Sequence, residues 1–343
     1  MGETTWLRSL TELTGRHECQ LGQVGKAVKQ EARKCYCFLL RYRVKHGVFK
    51  ANNEKLTRGY NIKGTRNKVV EKSIGIFDSG IGGLTVLKEI IKSLPSEDTI
   101  YLGDTARVPY GTKSAQTINR YALEDAHFLM DKGIKLLVIA CNTAASVCDS
   151  FLKYKLNIPI VEVIGPGAKK AAASTSQGKV GVIGTEATIR SGAYTARIKS
   201  INPDIKIVSK PCPLFVPLAE ETWNEGKDKS YLSQLKALAA ERYLAEFKEK
   251  GIDTLVLGCT HYPLLKNTID AFMGDKVTLV DSAEETAKEV LRVIDEMNLK
   301  NPADIKGEHK YFVTDAPDRF TKLGKRFLDS KLEKVQQIEV KSL

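Results

Sequence analysis

Val138–Ser146 reads VIACNTAAS, and Leu255–Pro263 reads LVLGCTHYP. In each stretch an apolar run ends in a small residue, then a cysteine, then polar groups. A run with no polar alternation is the pattern of a strand in a parallel sheet covered on both faces. The cysteine then falls at the strand's carboxyl end, where open α/β sheets bind their ligands. The chain sets a cysteine in that position twice.

Working outward, the surroundings repeat as well. KSIGIFDSG (Lys72–Gly80) resembles KVGVIGTEA (Lys179–Ala187), and KLLVIACNT (Lys135–Thr143) resembles DTLVLGCTH (Asp253–His261), in the same order. From Ser73 onward, apolar runs alternate with helix-like stretches. Strands are expected at 73–77, 99–103, 136–140, 160–163, 180–184, 205–209, 254–258 and 277–280. Helices fit at 83–94, 114–132, 144–155, 168–174, 188–201, 230–250, 264–272 and 283–296. The fold class is α/β: two similar parallel-sheet domains facing a central cleft. A basic N-terminal extension, residues 1–68, precedes them and reads as poorly ordered.

The 343 residues suit two domains, and 42% hydrophobic with 27% charged residues is ordinary for a soluble globular chain. The apolar runs are strand-length, short of the ~20 residues that cross a bilayer, and no secretory signal is visible. Seven scattered cysteines do not form a disulfide framework, so a reducing cytoplasm is the expected location. Residues 1–72 hold 16 Lys and Arg against 6 Asp and Glu, so most of the net charge of +12 sits in the leader. Any nucleic-acid binding belongs there, and the body carries no such signal.

Cys148 and Cys212 read as small packing residues. Cys141 and Cys259 differ, because each precedes polar residues at an expected helix N-terminus, which lowers a thiol's pKa. Two thiols in facing domains suit one reaction type. Inverting a stereocentre with an acidic C–H needs a base on one face and an acid on the other, and thiols can exchange those roles. His261 lies two residues after Cys259 and can manage its proton. Asp78, at a strand end before a glycine turn, can orient a thiol or a substrate ammonium. Gly80, Gly82 and Gly83 match neither phosphate-binding fingerprint, so they are expected to allow close backbone approach to a small substrate. In the leader, His17, Cys19, Cys35 and Cys37 match a metal site poorly, lacking paired Cys-x2-Cys spacing. No metal motif appears in the body, and the chemistry calls for neither metal nor organic cofactor.

FDSGIGGLTVL (Phe77–Leu87), GDTARVPYG (Gly103–Gly111), VIACNTAAS, CPLFVPLAEE (Cys212–Glu221) and LGCTHYPLL (Leu257–Leu265) together resemble the bacterial glutamate racemases. The resemblance runs from about Ser73 to the end of the chain. It implies a cofactor-independent enzyme that interconverts L- and D-glutamate and supplies D-glutamate for peptidoglycan. By this likeness Cys141 serves the D side and Cys259 the L side. The assisting acids fall on Asp78, His261 and Glu220, with Glu221 the neighbouring choice. Substrate-binding positions fall on Asp78, Ser79, Tyr110, Gly111, Asn142, Thr143, Thr260 and His261. The resemblance also implies an inserted second domain at 165–280, a first domain made of 69–164 and 281–343, and a homodimer. The rival readings are an aspartate or hydantoin racemase of the same fold, a thiol–disulfide protein, and a nucleic-acid-binding role carried by the leader.

Overall fold

The computed structural model describes residues 69–221, 227–303, 305–329 and 332–341. The leader, and with it the expectation of a poorly ordered extension, lies outside the described residues.

The first sheet begins with β1 (Ile74–Asp78), β2 (Thr99–Gly103), β3 (Leu136–Ile139) and β4 (Ile160–Glu162). Helices α1 (Leu84–Ser93), α2 (Ala115–Asp131), α3 (Asn142–Lys155) and α4 (Ile164–Ser174) follow these strands in turn. The second sheet holds β5 (Lys179–Gly184), β6 (Lys206–Pro211), β7 (Thr254–Gly258) and β8 (Thr278–Asp281). Between them run α5 (Glu186–Ser191), α6 (Ala193–Ile201), α7 (Phe215–Glu220), α8 (Lys227–Glu249) and α9 (Lys266–Met273). After α10 (Ser282–Glu296) the chain adds β9 (His309–Val313), α11 (Pro317–Leu328) and the short β10 (Gln336–Gln337).

All strand pairs are parallel. The first sheet runs β10-β9-β2-β1-β3-β4 and the second β6-β5-β7-β8. The repeat seen in the sequence is therefore a repeat in space: β2-β1-β3-β4 and β6-β5-β7-β8 share one order. β1 and β5 are the matching centres, and β3 and β7 carry the two cysteines past their ends. β9 pairs with β2 from Thr99↔His309 to Gly103↔Val313, so the chain returns to the first sheet after completing the second.

β1, β3 and β7 are buried along their whole length. Alternate residues of β7 face different cores. Val256 joins the large core of the first half, while Leu255 and Leu257 face a smaller one with Phe215, Phe247 and Tyr262. Val180, Val182 and Val280 also join the large core. α10 buries Ala283, Ala287, Val290 and Ile294, a helical stripe, and packs along α1 and α4. The two sheets are thus joined by continuous packing.

All eight expected strands are present; β9 and β10 were not anticipated. The single helix expected at 188–201 is two helices, because Gly192 adopts φ +67° and caps the first. α7 and α11 are also additions to the expected elements.

Candidate active site

The carboxyl ends of β1, β3, β5 and β7 open on one cavity of about 440 Å³. Ser79–Ile81, the turn at Val108–Thr112 and Cys141–Thr143 come from the first half of the fold. Thr185, Glu186, Glu220 and Cys259–His261 come from the second, and Arg319, Phe320 and Leu323 from α11. Both cysteines line this cavity, one supplied by each sheet.

Cys141 is the N-cap of α3. Its sulfur accepts the Ala144 N–H at 3.4 Å, and its S–H donates to Ser79 Oγ at 3.4 Å. α3 begins at Asn142, two residues earlier than expected, so the thiol sits on the helix terminus itself. The expected lowering of its pKa is not what the site produces. Burial pushes the Cys141 thiol up to about 12 and the nearby Asp78 charge adds to this; the Ser79 hydroxyl, which can turn to donate to the thiolate, and the Ala144 N–H only partly oppose it. Desolvation of a nearly enclosed thiol outweighs one helix terminus.

Cys259 follows β7 in a different local structure. No α-helix starts there: a 3₁₀ turn spans Tyr262–Leu265, and α9 begins at Lys266. The expected helix terminus is replaced by a side-chain relay. Cys259 Sγ lies 3.9 Å from His261 Nδ1, and His261 Nε2 lies 3.0 Å from Glu220 Oε1. Burial by itself lowers the His261 pKa. Hydrogen bonds to Cys259 and Glu220, with their charges, outweigh it and raise the imidazole to about 10. Glu220 is lowered: burial opposes its charge, but His261 and Arg319 together prevail. Its neighbour Glu221 is exposed. The carboxylate that meets the histidine is therefore Glu220.

Asp78 is buried at the end of β1. Its Oδ2 accepts the Gly80 N–H at 2.8 Å, and its Oδ1 has no partner. Burial raises its pKa, against the His261 charge, the Gly80 and Gly83 N–H groups and the Thr260 hydroxyl. Asp78 thus feels His261 of the second half while its own charge bears on Cys141 of the first.

The remaining expected residues divide. Ser79, Gly111, Asn142, Thr143 and Thr260 line the cavity. Asn142 Nδ2 donates to Tyr194 Oη at 2.9 Å, and its Oδ1 is unpartnered. Thr143 Oγ1 meets Thr185 Oγ1 at 2.8 Å, joining the two halves. Tyr110 also lines the cavity, but its hydroxyl is engaged by Asp104 at 2.5 Å and Asp125 at 3.1 Å, which leaves its main chain to face a ligand. Arg107, the cation inside the sequence motifs, is taken up by Asp104, Glu124 and Asp125.

Gly80 lines the cavity, and the other two glycines of the run are closely packed. A Cβ on Gly82 would lie 2.2 Å from Thr260 Oγ1 and 2.5 Å from His261 Nδ1. A Cβ on Gly83 would lie 2.5 Å from Asp78 Cβ. Gly82 thus lets the two halves approach each other beside Cys259, while Gly83 lets the turn pack on Asp78, Tyr101 and Ala140 within the first half. Thr185, Tyr194 and Arg319 were missed. Thr185 stands in the repeat of the first glycine turn, which was a usable signal. Arg319 lies on a helix that was not read.

Residues 74–290 match the family model for Asp/Glu/hydantoin racemases. The chain belongs to that family. A glutamate racemase from Geobacter metallireducens is 56% identical over 271 residues, covering 79% of this chain and 98% of the relative. Among solved structures, glutamate racemase isoform RacE1 from Bacillus anthracis has a TM-score of 0.73 at 37% identity, covering 78% of this chain and 98% of that one. The Francisella tularensis glutamate racemase in complex with D-glutamate has a TM-score of 0.72 at 39% identity, covering 80% and 100%. The protein is an amino-acid racemase, an isomerase, and among the described residues no helix is long and apolar enough to cross a membrane.

Proposed function

We propose that this racemase interconverts L- and D-glutamate by proton transfer at Cα between Cys141 and Cys259, without a cofactor, and that its D-glutamate feeds peptidoglycan. The observation that carries the reading is the pair of thiols lining one cavity, one from each sheet, each with its own polar partner. One sulfur, as thiolate, takes the Cα proton from one face. The other, as thiol, gives its proton to the opposite face of the planar carbanion. The pair ends with its protonation reversed, and the return reaction resets it. Cys259 is assigned to L-glutamate and Cys141 to D-glutamate.

The assisting roles follow from the surroundings. An imidazolium at His261 donates Nδ1–H toward the Cys259 sulfur and Nε2–H to Glu220. Asp78, with a free buried oxygen, is suited to a substrate ammonium. That ammonium would also bring positive charge near Cys141 and draw its raised pKa toward the working range. Ser79, Asn142, Thr143, Thr260 and the main chain at Tyr110–Gly111 are the donors assigned to the two carboxylates. Neutral donors hold the α-carboxylate as charge builds on it in the transition state.

Domain limits of 69–164 with 281–343, and 165–280, fit the two sheets, and a homodimer is the proposed assembly. Aspartate is the alternative substrate. Loss of optical rotation measured separately with both enantiomers of glutamate and of aspartate tests the assignment. Racemisation of both glutamate enantiomers, with aspartate at least about a hundredfold slower, is expected, one missing methylene with its hydrogen bonds being worth that much discrimination. Faster turnover of aspartate overturns it.

A further inference from the structure

Glu220 uses both of its oxygens. Oε1 meets His261 Nε2 at 3.0 Å, and Oε2 accepts from Arg319 Nη2 at 3.0 Å. Arg319 lies on α11, and among the described residues it is the one lysine or arginine that lines the cavity. Seven residues on, and so on the same side of the helix, Arg326 Nη1 donates to the Glu221 carbonyl at 2.6 Å and the Glu220 carbonyl at 3.3 Å. The Phe327 ring stands edge-on to His261 at 5.5 Å. α11 itself packs on the first half, where Phe320 meets Tyr101 at 5.9 Å. Glu220, His261 and Cys259 belong to the second half.

We infer that Arg319 is a positioning residue for the reaction: from α11 it fixes the Glu220 carboxylate across the cleft, and through it the His261 imidazole that serves Cys259. This rests on the two-thiol reading above and deepens it. A carboxylate held at one oxygen can rotate about its terminal bond. Held at both, its plane is set, and with it the line from Oε1 through the imidazole to the sulfur. The ionisable groups facing His261 are Cys259 from its own loop, Glu220 from α7 and Asp78 from β1. Of these only Glu220 is fixed by α11. Among the described residues nothing comparable reaches Cys141, whose partners Ser79 and Ala144 both belong to the first half. The effect of Arg319 is therefore confined to one of the two thiols. Its side chain is 71% exposed, so it can be replaced without opening the core.

The test uses the full chain and the two enantiomers, L and D at Cα, of threo-3-chloroglutamate. With these a single base suffices: the Cα proton goes to the thiolate, chloride leaves Cβ with its electron pair, and the resulting enamine takes up water to give 2-oxoglutarate and ammonium. The L isomer reports Cys259 and the D isomer Cys141. Arg319→Met is expected to slow elimination from the L isomer roughly tenfold, below the 10²–10⁴ that loss of a general acid or base itself costs. Elimination from the D isomer should stay within about twofold, and Arg319→Lys should recover most of the loss. In a Glu220→Gln background Arg319→Met should add almost nothing, because the bridge is already gone. Equal losses on both isomers, no loss on either, or full additivity with Glu220→Gln would overturn the proposal. If the unaltered protein eliminates from neither isomer, the two-thiol reading itself fails and takes the proposal with it.

Discussion

At the scale of the residue, two cysteines of similar sequence setting have unlike surroundings. Cys141 is held by a hydroxyl and a helix N–H, whereas Cys259 faces an imidazole backed by a carboxylate. Cys141→Ala and Cys259→Ala are each expected to lower racemisation at least 10²- to 10⁴-fold, the range for removing a general acid or base. Enantiomers have equal free energy, so kcat/KM must fall by the same factor in both directions. The two variants are separated instead by 3-chloroglutamate, Cys141→Ala keeping elimination from L and Cys259→Ala from D. His261 makes a second prediction. Its folded pKa of about 10 lies above the unfolded value of about 6.5, so its contribution to stability is fully present below pH 6.5 and is lost as pH rises toward 10. The unaltered protein should lose a few degrees more in Tm than His261→Asn between pH 7 and 10, at roughly 2–4 °C per kcal/mol for chains of 150–250 residues. Equal slopes would show that the imidazole is neutral in the folded state. The residue types and spacing at Cys141, Cys259, His261 and Asp78 were legible because each follows a recognisable strand. The thiol pKa was not, since burial and helix geometry act in opposite directions and only coordinates weigh them.

At the scale of the element, β1, β2, β3 and β7 were plainest to read, being buried along their whole length, whereas β6 was readable from its position between helices although it is largely exposed. β9 opens with His309 and Lys310, and only Tyr311–Val313 are buried, too short an apolar run to stand out. α11 has a helical stripe in Phe320, Leu323 and Phe327, but Gly324 interrupts the pattern. The glycine is there for packing: a Cβ would lie 1.9 Å from Leu332 Cδ1. Missing α11 meant missing Arg319. Gly192 is a different case, since a Cβ there would meet nothing within 4 Å and only its left-handed φ matters. Gly192→Ala should therefore cost about 1 kcal/mol, the penalty of the left-handed conformation, and leave kcat unchanged. A urea midpoint for the variant checks it, and an unchanged midpoint would mean that the break between α5 and α6 is not fixed by the glycine.

At the scale of the whole molecule, a duplicated strand order aims two sets of strand ends at one cavity, and glycines set how near the halves come. Gly82→Ala would push a methyl into Thr260 and His261. A displacement of about 1 Å in a reacting group can cost up to 10²-fold, so kcat should fall far more than Tm, read from paired rate and melting measurements. The family match begins at residue 74, and the Geobacter metallireducens relative covers 79% of the chain. Removal of residues 1–68 should accordingly leave kcat/KM for racemisation within about twofold. The central claim is that two sulfurs flank one carbon, and L-glutamate in deuterated water tests it most directly. Early in the reaction, D-glutamate should carry one deuterium at Cα while the remaining L-glutamate carries almost none, because each thiol exchanges with solvent and serves one face. D-glutamate that retains the substrate's own proton would contradict the account, since a single base would then be moving that proton between faces.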